Sequence, residues 1–419
     1  MSTTLRLDMT GAMQASVGRR DGISEAQIGG LQRRTQRIHE SLKRRRQAGD
    51  LVVYDLPYMR ESIIEVMSFA GEQIGRFENY VHIGNSASTL GPRALHRALN
   101  HPFHNHFSEK DRGGYPRLFF VDGFDPDTLN GLLAIIDPRQ TLFNIVSKSG
   151  GSAEAIASFL FFLGALKKRA GEAWRRQVVF TTHPEDGDLR AVARSERIKV
   201  FAIHPMVSEH FLLLTPGGLL PAALSGIDVH GLLHGAIEMD GACRSNDVMK
   251  NPAYLFGAAH FLLDTLKGKR QAVMLPSVDC LQDFALWFQW LWKHAVQVEP
   301  SAKLPSPRAS MAKHISETVF EEVNEKVFTL ASADRYRHAT ILPVDFPAQK
   351  SFQSSAGKTA EEILQNKQQT ITETLISKRR PHLHLTFSAV RPETVGEFIY
   401  MMQVAAVYAG ELYHLNSAL

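Results

Sequence analysis

The sequence predicts an α/β fold, with parallel sheets sandwiched between helices and arranged as two domains. Three observations carry that reading. Short apolar runs alternate with helical stretches along most of the chain, the pattern of strands joined by helical crossovers. Two strand–helix junctions are loops of small and hydroxyl-bearing residues, at 84–93 and 147–152. At 419 residues the chain exceeds what one hydrophobic core ordinarily fills.

Residues 1–26 yield no element. From Glu25 to Ala48 the pattern is helical, with Ile28, Leu31, Ile38 and Leu42 close to one face and charge on the other. This predicts a helical arm over residues 1–50, packed on the outside of a domain. Glu61 to Arg76 reads as a helix and Tyr80 to Ile83 as a strand. The loop from Gly84 to Arg93 follows, then helix again from Ala94. Strand-like runs come at Leu118–Val121, Leu142–Val146, Val178–Phe180 and Val200–Ile203. Between them Thr128–Ile136, Ala153–Arg169 and Asp188–Glu196 read as helices. Leu212 to Ile227, broken by Pro216 and Pro221, is read as the exit from a first domain spanning 51–228.

A second alternation over 229–419 makes the second domain. Its helices are Pro252–Lys267, Gln282–Ala295, Ala360–Ile376 and Pro392–Glu411. Its strands are Ala272–Leu275, Lys326–Leu330 and His382–Phe387, with a proline-marked loop at 301–308.

Composition narrows the function classes. A 44% hydrophobic, 21% charged chain is globular, and a net charge of +4 is too small to argue for nucleic acid. Two cysteines, Cys243 and Cys280, imply no disulfide framework and fit a reducing cytoplasm. No apolar run is long enough to span a bilayer, and the N-terminus lacks a signal-peptide core.

The most informative stretch runs Ser147-Lys148-Ser149-Gly150-Gly151-Ser152, between an apolar strand and an apolar helix. Helix N-termini present unpaired N–H groups with partial positive charge, and glycines admit an anion close to the backbone. Taken alone, the segment supports a phosphate cradle and an ordinary serine-capped helix equally.

The residues also resemble a family. Ser147 to Glu154 is similar to the Ser-Lys-Ser/Thr-Gly-Thr-Thr-x-Glu phosphate loop of the glucose-6-phosphate isomerase family. Ile83-Gly84-Asn85-Ser86 and Leu90-Gly91-Pro92-Arg93 resemble its Gly-Gly-Ser-x-Leu-Gly-Pro loop. Leu214 to Ala223, Gly226-Ile227-Asp228 and Tyr408 to Leu412 resemble further signatures. The resemblance runs nearly end to end. It implies two sugar-isomerase (SIS) type domains, a hexose 6-phosphate as ligand, no cofactor, and a homodimer. Ser147, Lys148, Ser149, Ser152, Gly84 and Ser86 are the expected phosphate-binding residues.

The family's chemistry opens a hexose 6-phosphate ring and moves a proton between C2 and C1. It uses a carboxylate base and an arginine that steadies the enediolate. Carried over position by position, those groups are replaced. His294 stands where the base glutamate is expected and Trp290 where a sugar-binding glutamine is. His210 takes the arginine position. His314, in Lys313-His314-Ile315-Ser316, is the counterpart of the family's ring-opening histidine, and no counterpart of the C-terminal lysine is reached. His314 and His294 are therefore the candidate catalytic residues. His294 is read either as a replacement base or as a polar helix residue left after the base was lost.

Other features carry ordinary readings. His101, His104 and His106 lack carboxylate or cysteine partners at ligand spacing, so a surface loop is expected rather than a metal site. His382 and His384 alternate along a strand and share a face. Trp287, Trp290 and Trp292 read as core or interface.

Overall fold

The computed structural model describes residues 4–296, 323–344 and 355–414. In chain order the elements are β1 (Leu5–Asp8), α1 (Gln14–Asp21), α2 (Glu25–Gly30), α3 (Gln32–Gln47), α4 (Arg60–Gln73), β2 (Asn79–Ile83), α5 (Ser86–Leu99), β3 (Arg117–Val121), α6 (Pro126–Ile135), β4 (Thr141–Ser147) and α7 (Ala153–Ala170). They continue with β5 (Val178–Thr182), α8 (Asp188–Glu196), β6 (Lys199–Ala202), α9 (Pro216–Leu224), α10 (Val229–Ala242), α11 (Pro252–Lys267), β7 (Gln271–Pro276), α12 (Gln282–Ala295), β8 (Lys326–Arg335), α13 (Ala360–Ser377), β9 (His382–Ala389) and α14 (Pro392–His414). Most strands and helices expected from periodicity are present with small shifts at their ends. Residues 86–93, read as loop, are instead the first two turns of α5 with Pro92 inside it, and α1 and α10 have no counterpart in that reading.

The chain forms two compact units. One comprises Glu40–Asp240; the other joins Met1–His39 to Gly241–Leu419. These divisions differ from the boundaries at 50 and 228 read from the alternation of strands and helices. The N-terminal segment is part of a sheet rather than a purely helical arm, because β1 pairs antiparallel with β9, Leu5 opposite Phe387. Residues 212–227 do not leave the first unit. Pro216 opens α9 at a position where no N–H is needed, and every residue of α9 is buried, packed on α4 and α5.

In the 40–240 unit five parallel strands run in the order β3-β2-β4-β5-β6. Val81, Ile83, Phe143, Ile145, Val178 and Phe180 share one face and pack against Leu129 of α6, Phe159 and Phe162 of α7 and Leu189 of α8. Each such side chain contributes about 1.5–3 kcal/mol by leaving water.

The opposite face carries a buried polar chain. Thr181 Oγ1 donates to Asn144 Oδ1 (2.9 Å), Asn144 Nδ2 donates to Tyr80 Oη (2.9 Å), and Tyr80 lies 3.4 Å from His82 Nδ1. His82 Nε2 then donates to the Ser88 carbonyl at 3.1 Å. That carbonyl needs a donor because Pro92, one turn along α5, has no N–H to give it. Burial pushes His82 down to about 4, so it is neutral and holds this tautomer.

The second unit has the sheet order β1-β9-β8-β7, with β7, β8 and β9 parallel. α11, α12 and α14 pack its core around Phe256, Phe284, Phe288 and Tyr400. Trp287 and Trp292 are buried among these rings, as expected for core residues. A buried ion pair, Lys269 Nζ to Asp21 Oδ1 at 2.6 Å, ties α1 to the segment after α11.

Candidate anion-binding site

Because β2 and β4 are adjacent and parallel, their carboxyl ends set the two serine-rich loops side by side. Ligands of open α/β sheets bind at such ends. Gly84 is packed so tightly that a Cβ would collide with Ser88 Oγ and lie 3.2 Å from the Val146 carbonyl oxygen. Glycine there is what allows the two strand ends to meet.

The 147–152 loop closes on itself. Gly150 N donates to the Ser147 carbonyl at 3.1 Å, Ser152 N to Ser147 Oγ at 3.3 Å, and Gly151 N to Ser149 Oγ at 3.4 Å. Gly150 has φ +73°, a left-handed conformation that favours glycine. The turn after β5 braces the loop from behind. Leu189 N donates to the Gly150 carbonyl at 3.1 Å, and a Cβ on Gly187, whose φ is +93°, would strike the Ser149 carbonyl.

The helix that follows is left open at its start. Ser152 is the cap of α7 but accepts no hydrogen bond from it; its hydroxyl lies 3.4 Å from Glu154 Oε2. Ser149 and Gly151 are exposed, and Lys148 and Ser152 half-buried, so the loop's polar groups reach solvent. The neighbouring helix α5 is closed instead, since the Asn85 side chain accepts from Ser88 N at 3.1 Å. Ser86 opens α5 and is half-buried. The structure therefore gathers Ser147, Lys148, Ser149, Ser152, Gly84 and Ser86 at the carboxyl ends of the sheet's inner strands, with the α7 terminus as the more available anion site.

Two buried hydroxyls that the sequence did not single out flank these strand ends. Thr182 Oγ1 and Thr89 Oγ1 have no hydrogen-bond partner; they lie where a Cβ on Gly150 or Gly84 would meet them at 3.1 and 3.2 Å. Gly187 precedes α8, Thr89 lies in α5 and Thr182 ends β5, and no spacing links them to residues 147–152.

Of the two candidate catalytic residues, only His294 is described. His294 is on α12 of the other unit, half-buried, with Nδ1 2.8 Å from the Trp290 carbonyl and its ring 4.1 Å from the Trp290 ring centre. His314 lies outside the described residues. His210 is in a short helical turn, 209–214, its ring tilted 54° to that of Phe211 with the ring centres 4.3 Å apart.

Among the described residues no group of histidine, cysteine and acidic side chains is placed to hold a metal. The 101–106 histidines divide their roles. His101 and His106 are exposed, as a surface loop requires, whereas His104 is buried and donates to the Pro116 carbonyl at 3.0 Å. His382 and His384 do share a face, with rings 5.3 Å apart. Cys243 and Cys280 are free thiols.

The comparisons agree with this architecture. The family profile described as phosphoglucose isomerase matches residues 53–297. A glucose-6-phosphate isomerase of Carboxydothermus hydrogenoformans is 34% identical over 413 residues, which cover 95% of this chain and 88% of the relative. The chain belongs to the phosphoglucose isomerase family. A second family relative, a glucose-6-phosphate isomerase from Rubrobacter xylanophilus, is 33% identical over 347 residues, covering 81% of this chain and 78% of its own.

Among solved structures, a protein of Thermus thermophilus described as hypothetical superposes with a TM-score of 0.81 at 27% identity, covering 98% of this chain and 94% of that one. A glucose-6-phosphate isomerase from Chlamydia trachomatis gives 0.73 at 16% identity, covering 94% and 83%, and shows the shared fold. No described helix is long and apolar enough to cross a membrane.

Proposed function

We propose that this family member binds a hexose 6-phosphate, with the phosphate seated on Ser147, Lys148, Ser149 and Ser152 at the start of α7. Gly84 and Ser86 complete the rim. The supporting observation is the open α7 terminus beside a lysine, three hydroxyls and a glycine in the left-handed conformation. Unsatisfied N–H groups and a lysine together favour a phosphate over a neutral sugar.

In this reading the isomerisation of glucose 6-phosphate to fructose 6-phosphate is weak or lost, and no cofactor takes part. Histidines occupy the positions of the family's base and arginine. His294 points Nδ1 at a main-chain carbonyl, so that nitrogen is a donor and only Nε2 remains to take a proton. His210 has no fixed fork of donors for an enediolate. Losing a positioned base costs about 10²–10⁴-fold in rate.

A coupled assay with fructose 6-phosphate tests this, with His294→Ala as control. Turnover at ordinary enzymatic rates that disappears in His294→Ala would sink the weak-or-lost reading and make His294 the base. Calorimetry with 6-phosphogluconate tests binding; no heat at millimolar ligand removes the phosphosugar reading altogether.

A second reading makes the chain an inactive phosphosugar-sensing or regulatory homologue. Binding without turnover favours it, and binding with slow turnover abolished by His314→Ala argues against it. The proposal also places the protein in the cytoplasm as a homodimer, which the family resemblance and the free thiols support. A monomeric mass by light scattering at micromolar concentration would overturn the dimer.

A further inference from the structure

The amino-terminal ends of the strands in the five-stranded sheet carry a polar cavity. It has a volume of about 530 Å³ and lies where β2, β3 and β4 begin, lined by Arg76, Glu78, Asn105, Arg112, Arg117 and Gln140 among others. Strands of five to seven residues separate it from the 147–152 loop by roughly 17–23 Å, so the two sites do not share groups.

The cavity walls are cross-linked. Gly75 N donates to the Gly114 carbonyl at 2.9 Å, Glu78 N to the Gln140 carbonyl at 2.9 Å and Arg117 N to the Glu78 carbonyl at 2.8 Å. The Asn105 amide clamps Leu118 in both directions, donating to its carbonyl at 2.7 Å and accepting from its N–H at 2.9 Å.

Positive charge in this cavity is incompletely answered. Arg117 pairs with Glu78 at 3.0 Å and donates to Asn79 Oδ1 at 2.9 Å. Arg112 is buried, yet its guanidinium donates only to main-chain carbonyls, those of Tyr115 and Phe107, and to no carboxylate. A buried cation held by neutral acceptors keeps most of its desolvation cost. Burial and the neighbouring Arg117 both press the Arg112 guanidinium below its ordinary value. Arg76 is exposed at the rim, where its guanidinium donates to the Gln73 amide oxygen at 3.5 Å and lies 5.7 Å from the centre of the Phe77 ring. Three arginines therefore line the cavity against two carboxylates, Glu78 and Glu109.

We propose that this cavity is a binding site for a small phosphorylated anion, held by Arg76, Arg112 and Arg117 at the strand ends opposite the 147–152 loop. Guanidinium groups match phosphate oxygens two at a time, and a ligand with two phosphate groups engages all three arginines. The Asn105 and Gln140 amides provide neutral donors for the rest of the ligand.

The probe is inorganic pyrophosphate, titrated by calorimetry into the full chain and into Lys148→Ala, Arg76→Glu and Arg112→Lys. Lys148→Ala is expected to retain a pyrophosphate binding event that Arg76→Glu weakens at least tenfold. Arg112→Lys, which keeps the charge but loses the fork, should weaken it as well. Arg76 is exposed, so an unchanged melting temperature in Arg76→Glu certifies the fold. Inorganic phosphate in place of pyrophosphate separates a one-phosphate ligand from a two-phosphate one by the affinity lost. Binding that vanishes in Lys148→Ala, or that persists within twofold when Arg76→Glu is added to Lys148→Ala in a folded protein, overturns the proposal.

Discussion

The turn between β4 and α7 and the turn between β7 and α12 are built alike: each leaves a parallel strand and enters a helix. Their chemistry is opposite. In the first, Gly150 turns through a left-handed conformation, Lys148 and three serines surround it, and Ser152 leaves the helix start open. In the second, Ser277 spends its hydroxyl and its N–H on the Ala331 carbonyl, at 3.1 and 2.8 Å. Asp279 follows and accepts from the Gln282 amide at 2.9 Å, and Asp283 stands in the first turn of α12. Each helix carries one acidic residue in its first turn, Glu154 in α7 and Asp283 in α12, so the difference lies in the turn residues and not in the complement to the helix dipole. A strand–turn–helix unit thus offers an anion site at every such junction, and the loop residues decide whether it is used.

Breaking the first turn gives the largest effect expected. Gly187→Ala places a Cβ against the Ser149 carbonyl in a backbone conformation that disfavours L side chains. It is expected to cost about 2–4 kcal/mol in a denaturant titration and to abolish 6-phosphogluconate binding. If stability falls while binding is intact, the brace from the β5 turn does not shape the loop.

Acid sharpens the comparison from below the loops. Burial holds His82 and His96 at about 4 in the unit with the open turn, and His260 at about 3 in the other. The unfolded chain, with histidines near 6.5, binds protons that the folded state refuses. The stabilisation is therefore complete above pH 6.5 and is lost as pH falls towards 4, by about 3 kcal/mol for His82. Unfolding titrations between pH 7 and 4 measure it, and His82→Gln should flatten the slope.

Removing charge from the loop is next in size. Lys148→Ala is expected to weaken 6-phosphogluconate about ten- to a hundredfold, from loss of about 1.5–3 kcal/mol of charge-assisted bonding, with little change in melting temperature. An affinity within twofold of the parent would show that the α7 terminus acts alone. The smallest effect tests completeness. Nothing lies within 4 Å of a Cβ on Gly151, so Gly151→Thr fits and supplies the hydroxyl of the family loop. A gain of about 0.5–1.5 kcal/mol, a few-fold to about tenfold in calorimetry, is expected.

Much of the fold was legible in local pattern. The run Leu142–Val146 and the helix Asp188–Glu196 announce themselves because strand and helix periodicity is a property of neighbouring residues. β1 did not. Leu5-Arg6-Leu7-Asp8 alternates over too few residues to be distinguished from coil, and its partner β9 lies at the far end of the chain. α9 was misread for a different reason. Its prolines are stop signals in isolation, but Pro216 sits at the helix start and the α4 and α5 surfaces bury the rest.

The sequence by itself determined the family, the alternation of strands and helices, and the hydroxyl-, lysine- and glycine-bearing loop at 147–152. All of these reside in contiguous residues. Only the tertiary structure decided which of the two serine-rich helix starts is open, that Gly187 and Thr182 stand behind the loop, that His82 supplies the donor Pro92 lacks, and that Arg76, Arg112 and Arg117 line one cavity. Each of those depends on groups brought together by strand order and packing, for which spacing along the chain holds no signal.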